Sequence, residues 1–167
     1  MNAIQPLKTL GCLSPDTLIT NPAGEPVVSA ISINAPAGDV WKVVGDFGGF
    51  TQFIPALASI EVIGNGPGSV RYKKFKEGDL VVVEQLNSHD DDAMAMTWTT
   101  IYNNLGVSKL WASMTVVPKD SASCVATWTI IAEPTDDNPM SAEGFREFLQ
   151  GFADGAMKNV PGAVMRS

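Results

Sequence analysis

Arg71 and Glu84 flank the dipeptide Glu77-Gly78, and their types and placement suggest chemistry before any fold is considered. If Glu77-Gly78 is a two-residue hairpin loop, Lys76 pairs with Asp79, and counting back along both strands sets Arg71 opposite Glu84. A guanidinium can polarise a carbonyl, and a neighbouring carboxylate can exchange a proton with the same substrate. Both residues share a face with Phe75, Leu80, Val82 and Leu86, which makes that face a candidate cavity wall. The opposite face, with Val70, Tyr72, Val81 and Val83, is also apolar, so periodicity alone does not choose between a pocket pair and a solvent-facing cross-strand ion pair.

A second set is aromatic. Trp98, Tyr102, Trp111, Ser113 and Trp128 alternate along the later strands as candidates for one concave surface, in which rings with a few polar handles would orient a ring-bearing ligand. Tyr102 is a further candidate for handling a proton. Phe145, Phe148, Phe152 and Met157 would close the surface from a terminal helix, and Trp41 and Phe53 would add to it from two short helices. Ordinary core packing is the competing reading for each of these rings.

Other chemistries find less support. His89, the one histidine, precedes Asp90-Asp91-Asp92, but the run lacks the glycine of a calcium loop and offers no second imidazole, so no metal is expected. There is no GxSxG elbow for a serine nucleophile. Gly64, Gly66 and Gly68 lack the spacing and the strand-to-helix setting of a dinucleotide fingerprint, so they read as a turn and no cofactor is expected. Arg71, Lys73, Lys74 and Lys76 would be split between two faces of a strand and read as solvated charges. With a net charge of −7, the chain is a poor partner for nucleic acid or an anionic membrane.

Those residues need elements to hold them. The chain has 167 residues, 45% hydrophobic and 17% charged, enough for one domain with a sizeable core. Residues 1–25, with Pro6, Pro15, Pro22 and Gly24, read as an irregular arm, residues 26–162 as the domain and 163–167 as a tail. Alternation from Val27 to Ile33 predicts a strand ended by Ala35-Pro36. A short helix follows at about 37–45, and a second helical piece around Phe50–Ile54 is stopped by Pro55. Six β-rich segments come next, at 57–63, 69–76, 79–88, 94–102, 107–118 and 123–133. The period then turns helical over about 140–160, with Asn138 or Ser141 as the cap. This order implies an α+β domain: a curved, antiparallel, seven-stranded sheet around a long C-terminal helix, with two short helices after the first strand. Cys12 and Cys124 show no CxxC spacing, and the chain shows no leader or spanning segment, which gives a cytoplasmic expectation.

Several segments, taken in order, resemble one superfamily. Ile33-Asn34-Ala35-Pro36, Val40-Trp41 and Asp46-Phe47-Gly48-Gly49-Phe50 are similar to the opening of the START and birch-pollen-allergen-like proteins, especially their bacterial polyketide cyclase/dehydrase branch. Gly68-Ser69-Val70-Arg71, Glu84-Gln85-Leu86 with Asp91 or Asp92 after it, Trp128 and the aromatic terminal helix extend the resemblance over about residues 26–160. The resemblance implies the helix-grip fold with a cavity between sheet and helix. It does not imply one activity, because members include cyclases, dehydratases, condensing enzymes, lipid carriers and hormone receptors. Arg71, Glu84, Trp111 and Ser113 fall where the plant abscisic-acid receptors place pocket groups, but the ligand-anchoring lysine of those receptors corresponds to about Thr51 and their gate loop to the short Glu77-Gly78 turn. Two functions are therefore expected. One is a cofactor-independent cyclase, dehydratase or other lyase-type enzyme acting on a ring-forming substrate. The other is a carrier or sensor of a lipid-like or aromatic molecule, and either would act as a monomer or homodimer.

Overall fold

The computed structural model describes residues 21–167, so most of the N-terminal arm, with Cys12, lies outside the described residues. Seven strands form one antiparallel sheet: β1 Val27–Ile33, β2 Leu57–Ile63, β3 Val70–Phe75, β4 Val81–Asp90, β5 Ala95–Asn103, β6 Val107–Asp120 and β7 Ser123–Pro134. Their spatial order is β1-β7-β6-β5-β4-β3-β2, so every neighbour from β2 to β7 is a hairpin partner and β1 closes onto β7. Helix α1, Ala37–Val44, and a single 3-10 turn, Phe50–Gln52, follow β1; α2, Ala142–Met157, and α3, Val160–Arg166, follow β7.

The burial pattern alternates as the sequence suggests. In β7, Cys124, Ala126, Trp128 and Ile130 are buried while the residues between them are half-exposed. The core lies between this face of the sheet and the helices, and it includes Val40, Val44, Phe50, Leu149, Ala153 and Val160. Helix α2 packs on β1 and β7, and α3 packs on α1, which leaves the face of β3 to β6 only partly covered. That offset creates the space described below.

Three details differ from expectation, and the choice between two helix caps is decided. The β3–β4 loop is four residues, Lys76 to Asp79, closed by the Phe75 N–H donating to the Leu80 carbonyl at 3.0 Å. Gly78 and Asp79 both adopt positive φ, 72° and 50°, so the longer turn closes without changing the register, and Arg71 still pairs with Glu84. The terminal helix is broken at Lys158–Asn159, and the expected tail is helical through Arg166. Ser141 caps α2 by accepting the Gly144 N–H at 3.0 Å, while Asn138 donates to the Gly106 carbonyl instead. The second helical piece shortens to the one 3-10 turn. Among the described residues no helix is long and apolar enough to cross a membrane.

Candidate functional site

Arg71 sits on the inward face of β3 and is 0% exposed. Its Nε donates to Glu84 Oε1 at 2.8 Å, and its Nη1 donates to the Phe47 carbonyl at 2.8 Å. Nη2 lies 2.8 Å from the same glutamate oxygen yet off the hydrogen-bonding direction, so it contributes charge attraction without a directed bond. The rings of Phe47, Phe50 and Trp98 enclose the guanidinium, with centroids 4.2, 4.1 and 4.9 Å from Cζ. The turn Asp46-Phe47-Gly48-Gly49-Phe50 is what delivers this carbonyl and two of these rings. It is held by the Asp46 carboxylate accepting the Gly48 N–H and the Asp46 carbonyl accepting the Gly49 N–H.

Lys73, one pleat along, shares that face. Its Nζ lies 2.9 Å from Glu84 Oε1, and the residue is 4% exposed. The reading of solvated charges holds for Lys74 and Lys76, which are exposed, but fails for Arg71 and Lys73. Period 2 gave the signal that could have found Lys73, since it lies between Arg71 and Phe75 on one face. Both oxygens of Glu84 are engaged: Oε1 takes the two cations, and Oε2 takes the Thr100 hydroxyl at 3.2 Å. Burial pushes the Glu84 carboxyl up, but the Lys73 and Arg71 charges and their hydrogen bonds outweigh it and hold the group at about 2. Burial also pulls Arg71 and Lys73 below their usual values, with Glu84 opposing the shift in each. With Arg71 and Lys73 protonated and Glu84 ionised, the cluster carries two cations and one anion.

Beside it a cavity of ≈ 340 Å³ opens between the sheet and α2. Lys73 and Glu84 form the charged part of its wall; Val82, Trp98, Ala112 and Trp128 form the apolar part. All six are buried. Phe75, Leu80 and Phe152 stand further out, and the mouth is framed by Lys76, Glu77 and Phe148, the last 43% exposed. The volume lies at the lower end of the range for small-molecule pockets. The Trp128 Nε1, buried, has no hydrogen-bond partner among the described residues. Glu84, Trp98, Trp128, Phe148 and Phe152 thus meet at one cavity, whereas Arg71 supports its inner end from behind.

The remaining candidates lie elsewhere. Tyr102 is 58% exposed and pairs with Val83 on the outer face. The register of β4 against β5 shifts between Val83 and Glu84, leaving Ile101 as an extra residue, and one extra residue reverses the side on which the next side chain emerges. Trp111 and Ser113 are also on the outer face, because Ala112 is the residue opposite Trp98 and cross-strand partners share a face. Phe53 is packed in the core, its ring 4.8 Å from that of Phe50. Met157 is likewise buried away from the cavity, and Phe145 borders a separate shallow groove with Val27 and Ala132. Trp41 donates from Nε1 to Asp91 at 2.8 Å and packs its ring 5.3 Å from that of His89, whose Nε2 lies 2.7 Å from the Gly45 carbonyl. Trp41, His89 and Asp91 therefore form a clasp between α1 and the β4–β5 turn. Among the described residues no group of three or more potential metal-ligating side chains occurs.

A sequence model of the polyketide cyclase/dehydrase and lipid transport family matches residues 26–163. No curated protein matches the chain. Among solved structures, a protein from Thermobifida fusca is 25% identical, with a TM-score of 0.69 over 84% of this chain and 93% of that one. The ZhuI aromatase/cyclase from Streptomyces sp. R1128 is 16% identical, with a TM-score of 0.65 over 85% of this chain and 92% of that one. A START superfamily protein from Mycobacterium smegmatis is 13% identical, with a TM-score of 0.73 over 86% of this chain and 99% of that one.

Proposed function

Because the chain belongs to the polyketide cyclase/dehydrase and lipid transport family, we propose that it holds one small, largely apolar molecule in the cavity between its sheet and α2. The observation that carries this reading is an opening lined by Val82, Trp98, Ala112, Trp128 and Phe152 where a solid core would otherwise be. Burying apolar surface there supplies affinity at roughly 25 cal/mol per Å². The neutral fluorophore N-phenyl-1-naphthylamine should bind saturably at one site per chain. The variant Ala112→Phe, which fills the cavity from its floor, should abolish that binding while unfolding remains cooperative. No saturable binding by the folded protein, or binding untouched by Ala112→Phe, rejects the reading.

A second reading, a cofactor-independent cyclase or dehydratase acting on a ring-forming polyketide-like substrate, is favoured by one observation. Burying the Arg71–Glu84–Lys73 cluster in an apolar wall gives a passive carrier little stability. In this reading the cavity orients the substrate and the Lys73 ammonium polarises its carbonyl. Held at about 2, Glu84 is a weak base in the resting site. When Lys73 turns to the substrate, the carboxylate loses part of its counter-charge and its proton affinity rises. Arg71, enclosed by three rings, stays in place. New cyclised or dehydrated product formed by the wild type and lost in Glu84→Gln, detected by mass spectrometry, distinguishes this reading from simple carriage.

A further inference from the structure

We propose that the cavity takes an amphipathic monocarboxylate, whose acid group docks on Lys73 at the inner end and whose apolar body lies along Val82, Trp98, Ala112 and Trp128. This rests on the cavity being a ligand site and adds the chemical class of the ligand.

Charge and hydrogen-bond capacity both lead there. With Lys73 protonated, the buried cluster has one more cation than anion, and no acidic side chain except Glu84 stands at the inner end of the cavity among the described residues. Donors outnumber acceptors in the same place. A lysine ammonium has three N–H groups, and Glu84 is the one described partner within bonding reach of Lys73. The Trp128 indole N–H on the same wall has no described partner. Glu84, with both oxygens engaged, has little capacity left for a donor from the ligand. The missing component is an acceptor, and since the excess is a single charge, a monoanion neutralises it. A neutral ligand would leave a buried cation uncompensated, and a dianion would reverse the imbalance.

Long-range steering does not produce this preference. The whole chain carries −7, so an anion approaches against the mean field and is selected on contact, inside the cavity. The cavity therefore prefers acids through a local excess that the overall charge conceals.

The test is displacement of N-phenyl-1-naphthylamine by decanoate and by 1-decanol, two ligands matched in chain length and different in head group. Decanoate should displace the dye at a concentration roughly tenfold or more below that of decanol, the usual effect of a charge-assisted hydrogen bond. Decanol is the less hydrated molecule, so burial alone favours it, and a preference for the acid has to come from the charge. Lys73→Met should bring the two ligands level or reverse their order, each displacement being measured against the variant's own dye affinity. Equal displacement by both ligands in the wild type overturns the proposal and leaves the ligand-cavity reading standing, as does a Lys73→Met variant that keeps the preference for decanoate. If the dye itself fails to bind the folded wild type, the cavity reading falls and the proposal falls with it.

Discussion

With Arg71 and Lys73 on one oxygen of Glu84 and Thr100 on the other, replacing the carboxylate leaves two buried cations without a counter-charge. Glu84→Gln should therefore cost about 3–5 kcal/mol of stability, the range for breaking a buried ion pair from one side. Lys73→Met should lie within about 1 kcal/mol of wild type or exceed it, because Arg71 and Glu84 remain as a neutral pair and burial disfavours the ammonium. The pH dependence separates these effects. A carboxyl at 4.5 when unfolded and about 2 when folded adds stability above the unfolded value, and that stability is lost as the pH falls through the folded one. Urea unfolding across the acid range should show the gap between wild type and Glu84→Gln narrowing over that window; a constant gap would remove Glu84 from the account. The facing of Arg71 and Glu84 was legible in the sequence because the four-residue loop is centred on the same Glu77-Gly78 bond as a two-residue one, which leaves the register unchanged. Lys73 was hidden by composition: four basic residues close together suggest a solvated face, and only tertiary packing shows that two of them are enclosed.

Strand positions were readable because β-branched and aromatic runs alternate with turn residues, and the helix-to-sheet order then constrains the layers. Which face a side chain occupies is a finer property. The extra Ile101 in β5 carries no compositional mark, yet it sends Tyr102 outward, and the β5–β6 register does the same to Trp111 and Ser113. At the scale of α1, the contact most sensitive to substitution is at its C-terminal end. A Cβ on Gly45 would collide with the Trp41 ring and with the Trp41 carbonyl. Gly45→Ala should thus displace the indole, weaken its bond to Asp91 and cost roughly 1–3 kcal/mol. Thermal denaturation with near-ultraviolet circular dichroism reads both effects. An unchanged aromatic signal at wild-type stability would mean that the clasp between α1 and the β4–β5 turn does not hold the helix.

For the molecule as a whole, the ordered resemblance to a helix-grip superfamily conveyed the architecture, but the shape of the cavity depends on where α2 docks along the sheet. That docking is decided by contacts with β1 and β7, strands at the two ends of the chain's β-region, and no local pattern encodes it. One property of the resulting space reaches beyond its chemistry. The enclosed Arg71 and the rings of Phe47, Phe50 and Trp98 back its inner end, whereas Phe148, Lys76 and Glu77 border solvent at the other. A pocket with a blind end and a fixed head-group position is a gauge of length. In a homologous series of straight-chain acids, affinity should rise by about 0.8 kcal/mol for each added methylene while the tail remains inside, then level off once it passes Phe148. Calorimetry along the series locates the break, and an unbroken rise would mean that the tail stays buried beyond Phe148 and that the rim does not set the limit. The protein would thus rank its ligands by how far they reach, with a side chain at the rim marking the limit.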